Sequence, residues 1–176
     1  MKLIVIRHGE TDLNKENRLQ GSEGVNLPLN AAGQTMVEQL SKDLLISPEV
    51  IYASPLVRTQ ETAQILNKRF QVPIVTVPEI RERNFGTLSD KPRCEVDQQI
   101  ILDDLEGHYD YRPYGGESVE EVTKRVREFV ESLKTKKESS VMLVTHRGVI
   151  RILYDLYPNN VIGANIVPAS KHIFEF

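Results

Sequence analysis

The chain has 176 residues, 40% of them hydrophobic and 27% charged, with a formal net charge of −3. A chain of this length fits one domain with a sizeable core, and the lack of a basic excess excludes a general nucleic-acid binder. Cys94 is the single cysteine, which excludes an internal disulfide and makes the chain read as cytoplasmic. The opening "MKLIVIR" is too short for the roughly 7–15 apolar residues of a signal-peptide core. No run approaches the ~20 apolar residues of a membrane span, so no membrane partner is expected.

Short β-branched runs alternate with amphipathic stretches, the pattern of a parallel sheet covered by helices. The first strand is Leu3–Ile6, inside "LIVIRHGET". A helix is expected over 31–45, with Asn30 as N-cap and Met36, Val37, Leu40 and Leu44 inward. After a strand at Val50–Ala53, "SPLVRTQETAQIL" starts a helix with Ser54 as N-cap and Pro55 at the first helical position. Ile74–Val77 is a third strand. Over 87–116 the periodicity fades, and Asp97, Asp103, Asp104, Glu106 and Asp110 gather there. That stretch is expected as an irregular or partly helical excursion over one end of the sheet, packed by Tyr109, Tyr111 and Tyr114.

The helix over 118–135 has the strongest pattern, with Val119, Val122, Val126, Phe129, Val130 and Leu133 at helical spacing. Ser118 and Glu121 open it as a capping box. Val141–Thr145 is the fourth strand, and a helix after Gly148 turns Val149, Ile150, Leu153 and Leu156 inward. His172–Phe176 closes the chain as a strand that can lie at a sheet edge and pair across a dimer, so monomer and homodimer both stay open. The predicted fold is α/β: one domain, 1–176, as a three-layer α/β/α sandwich with a mostly parallel central sheet.

"LIVIRHGET" has an echo in "VMLVTHRGV". In each, a strand ends, a histidine follows at once and a glycine comes one or two residues later. Open parallel sheets bind ligands beyond the carboxyl ends of their strands, so His8 and His146 fall on that rim. Arg7, Arg58, Glu82 and Arg147 are expected beside them. Three converging arginines are costly to bury against one another, and an anion explains them, because the guanidinium fork matches phosphoryl oxygens two at a time.

With a phosphate monoester bound, neutral His8 is a competent nucleophile. The arginines and His146 would stabilise the equatorial oxygens, and Glu82 would protonate the leaving group and later deprotonate water. That chemistry needs no metal and no cofactor, and its partner is a small phosphorylated metabolite.

These residues resemble the histidine phosphatase superfamily, in its phosphoglycerate mutase-like branch. The family's opening Arg-His-Gly-Glu falls on Arg7, His8, Gly9 and Glu10, its asparagine on Asn14, and its loop glycine on Gly21 in "NRLQG". "SPLVRTQETA" is similar to the pattern that places Arg58, "ERNFG" to the one that places Glu82, and "VTHRG" carries His146. The resemblance implies a phosphohistidine on His8, with Arg7, Arg58, Glu82 and His146 as its catalytic partners. Asn14, Gln20, Gly21, Phe85 and Arg147 are the positions it and the rim offer for substrate binding. Three positions depart from the pattern: Asn26 stands where an acid is frequent, Asp90 where a second glycine is common, and Arg147 where small residues are common.

Other readings remain at this point. A cofactor-dependent phosphoglycerate mutase shares the motifs, although 87–116 is short and acidic and offers only Lys91, Arg93 and Arg112. A catalytically idle phospho-ligand module would keep the pocket without needing both histidines and the acid. A zinc site on His8, Glu10 and His146 lacks a local ligand pattern, and Arg93, Arg112 and Arg147 are the residues expected to select a second anionic group on the substrate.

Overall fold

The computed structural model describes residues 1–158, 161–162 and 165–176. Strands β1 (Lys2–Arg7), β2 (Val50–Ala53), β3 (Ile74–Thr76), β4 (Ser140–Thr145), β5 (Val161–Ile162) and β6 (Lys171–Glu175) form one sheet in the order β3-β2-β4-β1-β6-β5. The first four are parallel, and β6 runs antiparallel to both β1 and β5. This is the α/β, mostly parallel mixed sheet that the alternating pattern predicts. β6 is not an edge strand, because β5 covers its outer side; the apolar HIFEF run is explained by a neighbour on each side.

Strand periodicity divides the core. Leu3, Val5, Tyr52, Val141 and Leu143 face one layer, where α5 (Val119–Leu133) and α6 (Arg147–Leu156) pack. Ile4, Ile6, Ile51, Met142 and Val144 face the other, against α2 (Ala31–Asp43) and α3 (Val57–Phe70). On α5, Val122, Val126, Val130 and Leu133 are fully buried, each side chain contributing about 1.5–3 kcal/mol of apolar burial. Ser118 and Glu121 close the expected capping box: Ser118 Oγ accepts from Glu121 N at 3.3 Å, and Ser118 N donates to Glu121 Oε2 at 2.8 Å.

Several expectations need correcting. Met36 is exposed, because the inward stripe of α2 runs through Gly33, Val37 and Ser41, and a residue one position before Val37 points about 100° away. The helix after Ala53 begins at Val57 with Leu56 as N-cap, so Ser54 and Pro55 lie before it. Within 87–116, expected as irregular or partly helical and not in need of correction, the chain forms α4 (Gln98–Glu106), capped by Asp97 Oδ1 and stopped by Gly107 at φ 79°. A short α1 (Asp12–Lys15), capped by Thr11, was not expected at all.

Candidate active site

The register of the two central strands builds the site. Arg7 ends β1 opposite Thr145 at the end of β4, so the next residues, His8 and His146, leave the sheet side by side. His8 N donates to Thr145 O at 3.0 Å, and the two imidazoles stand 5.2 Å apart, tilted by 58°. Ala53 pairs with Val144, which brings Ser54 to the same rim. Its hydroxyl lies 2.8 Å from His146 Nε2. The Ser54 hydroxyl is therefore engaged by a residue 92 positions away and reaches the start of the helix only through Leu56 N at 3.5 Å, while its carbonyl accepts from the Thr59 and Gln60 side chains of α3.

His8 Nδ1 lies 2.7 Å from Gly9 O. A carbonyl only accepts, so Nδ1 carries the proton and Nε2 carries the lone pair. Nε of Arg58 points at that lone pair from 3.3 Å, and Nη2 of Arg58 donates to Gly21 O at 3.2 Å. Burial, then the charges of Arg58 and Arg7, hold His8 well below the ordinary imidazole range. Burial and Arg58 do the same to His146. Burial also lowers Arg7 and Arg58 to about 10, opposed in both by Glu82, so both guanidiniums stay charged at neutral pH.

A cavity of about 280 Å³ opens over His8, at the small end of ligand sites. Arg7, Glu82, Asn14, Gln20, Phe85 and Arg147 line it. Arg58 and His146 do not; they are 1% and 0% exposed, and Arg58 meets the site through its contact with His8 Nε2. Gly21 also lies outside it and meets the site only through the carbonyl that holds Arg58. Asn14 serves the cap of α1, its Oδ1 accepting from Thr11 N at 3.1 Å.

Of the eleven buried side-chain polar atoms without a partner among the described residues, four stand on residues expected at the site: Arg7 Nε, Arg58 Nη1, Gln20 Nε2 and His146 Nδ1. Buried donors are normally satisfied, and these are the groups a phosphoryl oxygen would satisfy. Glu82 closes the site from the other side. Its Oε1 accepts from Arg83 N and Arg83 Nη1, both at 3.0 Å, and its Oε2 from Gly148 N at 3.2 Å.

Of the arginines expected to select substrate, Arg93 and Arg147 line the cavity, whereas Arg112 is exposed and bound to Asp110 at 2.7 Å. The Arg147 side chain makes no hydrogen bond or ion pair to a described residue, and it also borders an open groove of about 790 Å³ that shares Arg7 and Pro168 with the cavity. Ser54, Arg83 and Asp104 belong to the site and were not singled out as such in the sequence. The motif "ERN" offered a signal for Arg83, and none existed for Asp104. Among the described residues, no three or more His, Cys, Asp or Glu side chains converge to hold a metal ion, His8, Glu10 and His146 included. No described helix is long and apolar enough to cross a membrane.

Two histidines set in register on a parallel sheet, over a floor of arginines, define a class of phosphoryl-handling α/β proteins. Residues 3–161 match the family described as the histidine phosphatase superfamily (branch 1), and the chain belongs to it. It is 33% identical over 167 residues to the phosphoglycerate mutase-like protein 4 of Arabidopsis thaliana, spanning 88% of this chain and 70% of that one. It is 31% identical over 163 residues to the metal-independent phosphoserine phosphatase of the same plant, spanning 87% and 67%. Among solved structures, the phosphoglycerate mutase from Thermus thermophilus superposes with a TM-score of 0.77 at 29% identity, over 98% of this chain and 91% of that one.

Proposed function

We propose that this protein is a phosphatase for small phosphate monoesters and works through a phosphohistidine on His8. The observation that carries the proposal is the state of His8. Burial and two arginines favour the neutral ring, Gly9 O holds its proton on Nδ1, and Nε2 accepts from Arg58 Nε at 3.3 Å.

In the first step Nε2 attacks phosphorus while the bond from phosphorus to the leaving oxygen breaks. The leaving oxygen takes a proton from Glu82, and the Arg58 fork turns from Nε2 to the equatorial oxygens, a contact that strengthens as charge develops there. In the second step water attacks phosphorus, the P–N bond breaks, and the Glu82 carboxylate takes the proton from the water. Glu82 Oε1 already accepts two hydrogen bonds and Oε2 one longer one, so Oε2 is the oxygen free to carry the proton.

The cation-rich mouth favours a substrate with a second anionic group. Arg147 is the first residue of α6, where the helix dipole already disfavours a cation. Partial burial, then Arg151 and Arg83, weaken its hold on its proton further. The nearest acid to Arg93 is Asp104, 4.0 Å away and already bound to Arg83. A carboxylate or second phosphate on the substrate would answer both.

The test is release of phosphate from p-nitrophenyl phosphate and from a panel of metabolite monoesters, with and without EDTA, beside a His8→Ala variant. EDTA-resistant hydrolysis that disappears in the variant is the expected result. Absence of hydrolysis together with isomerisation of phosphoglycerate in the presence of a bisphosphoglycerate primer would make the protein a mutase instead. Absence of both, with retained phosphate binding, would leave a binding module.

A further inference from the structure

Glu82 is followed in the chain by a buried arginine that lines the same cavity. Arg83 is 3% exposed, and beyond its bond to Glu82 it gives Nη2 to both oxygens of Asp104 at 2.8 Å. Asp104 is itself 1% exposed and reaches in from α4. The guanidinium lies over the rings of Phe85 and Tyr109, 4.7 and 5.2 Å from their centroids. A carboxylate, a guanidinium and a second carboxylate thus stand in line from the wall of the catalytic pocket inward.

Burying three charges is expensive, and a structural core of this size does not need it. The arrangement makes chemical sense as a support for Glu82. Asp104 takes one edge of the Arg83 fork, so the guanidinium is shared between two carboxylates instead of bearing on Glu82 alone. Other groups press the Glu82 carboxyl toward ionisation: Arg7 from β1, Arg58 from α3 and Arg147 from α6 all interact with Glu82, and Arg125 from α5 donates Nη2 to its main-chain carbonyl at 3.3 Å, while the Tyr109 phenol and the His8 imidazole nearby bring no charge. A carboxylate on the far edge of the fork offsets Arg83, and its own charge disfavours a second anion nearby. It also fixes geometry, since a planar fork bound at both ends and stacked on two rings cannot turn.

We propose that Asp104 is a positioning residue for the proton donor: through Arg83 it orients the Glu82 carboxyl and lets it carry the proton on Oε2. The inference rests on the phosphatase reading above. Asp104 touches neither substrate nor reacting atoms. Its effect therefore falls on the one step that needs the Glu82 proton, departure of a poor leaving group, and spares esters whose leaving group departs without it.

The experiment compares glycerol phosphate, whose alkoxide must be protonated to leave, with p-nitrophenyl phosphate, whose phenolate leaves unassisted. In Asp104→Asn, kcat/KM should fall about a hundredfold for glycerol phosphate and no more than about threefold for p-nitrophenyl phosphate, the range of one general acid. The alkaline limb of the glycerol phosphate profile should move to lower pH. Equal losses on the two esters, or no loss, would overturn the proposal, because a merely structural residue does not distinguish leaving groups. If the lone guanidinium prevents Asp104→Asn from folding, Asp104→Glu keeps the charge and displaces it by a methylene. It should show a smaller loss with the same dependence on leaving group, and an even loss would again overturn the proposal. A wild-type protein inactive on both esters would refute the phosphatase reading itself and this inference with it, an outcome distinct from an active enzyme whose variants do not discriminate.

Discussion

The imidazole of His146 is bound at Nε2 to the hydroxyl of Ser54, 2.8 Å away, although 92 residues separate the two in the chain. Both are 0% exposed. The phosphatase reading requires the tautomer in which the hydroxyl donates to Nε2 and the proton lies on Nδ1, the unpartnered atom, from which His146 would donate to a phosphoryl oxygen. Ser54→Ala removes that control and leaves a buried nitrogen unpaired, at a cost of about 1–3 kcal/mol. If the loss falls on the transition state, kcat/KM drops by roughly tenfold to a hundredfold. Steady-state kinetics with p-nitrophenyl phosphate measure it, and undiminished activity would refute the role.

Gly148 admits no side chain. A Cβ there would lie 2.1 Å from Arg83 Nη1 and 2.3 Å from Glu82 Oε1, so Gly148→Ala must push the proton donor and its arginine apart. Overpacking of this kind costs about 1–3 kcal/mol. For a chain of this length that lowers the melting midpoint by about 2–4 °C per kcal/mol. Activity on alkyl phosphates should fall more than tenfold, about the share of one displaced general acid. A variant as active and as stable as the parent would show that this close approach is not required.

The paired cations at the pocket mouth predict a preference that a single carbon can test. Glycerol phosphate and 3-phosphoglycerate differ by a hydroxymethyl against a carboxylate. A charge-assisted hydrogen bond adds about 1.5–3 kcal/mol, so kcat/KM should favour the carboxylate by at least about tenfold. Arg93→Gln with Arg147→Gln should bring the ratio close to one. Equal use of the two esters by the parent protein, or a preference that survives the double substitution, would contradict it. Calorimetric binding of both esters to His8→Ala measures the same preference without turnover.

Stability should fall on the acid side of neutrality. His8 and His146 are held neutral well below 6.5 by burial and by Arg58, and burial lowers His172 to about 4. Above pH 6.5 neither folded nor unfolded imidazoles are protonated, and the folded state keeps its full stability. As the pH falls through 6.5 the unfolded chain binds protons that the folded one refuses. Each histidine then removes up to about 1.4 kcal/mol per pH unit, and for His172 the loss ends near pH 4. Urea midpoints between about pH 7.5 and 5 should decline, and His172→Gln should flatten the slope by its share. A midpoint constant over that window would rule this out.

Much of the fold could be read from local pattern. Strand and helix periodicity placed β1, β2, β4 and α5 to within two residues, because each buries a regular set of apolar side chains. Met36 and the start of α3 were misread for related reasons. Which helix face turns inward, and which partner a capping serine takes, depend on neighbours that sequence spacing does not contain.

The sequence by itself determined the two strand-histidine units, the glycines that follow them, and the arginines and the acid of the family's motifs. These are local features, each legible within a short stretch of chain. Only the tertiary structure decided that Arg7 and Thr145 pair in register and deliver His8 and His146 side by side. It alone sent Arg112 to the surface, kept Arg93 and Arg147 at the cavity, and set Asp104 on the far side of Arg83. The physical reason is that buried charges take partners by distance in three dimensions, and a low-dielectric interior makes those partners matter more than any neighbour in the chain.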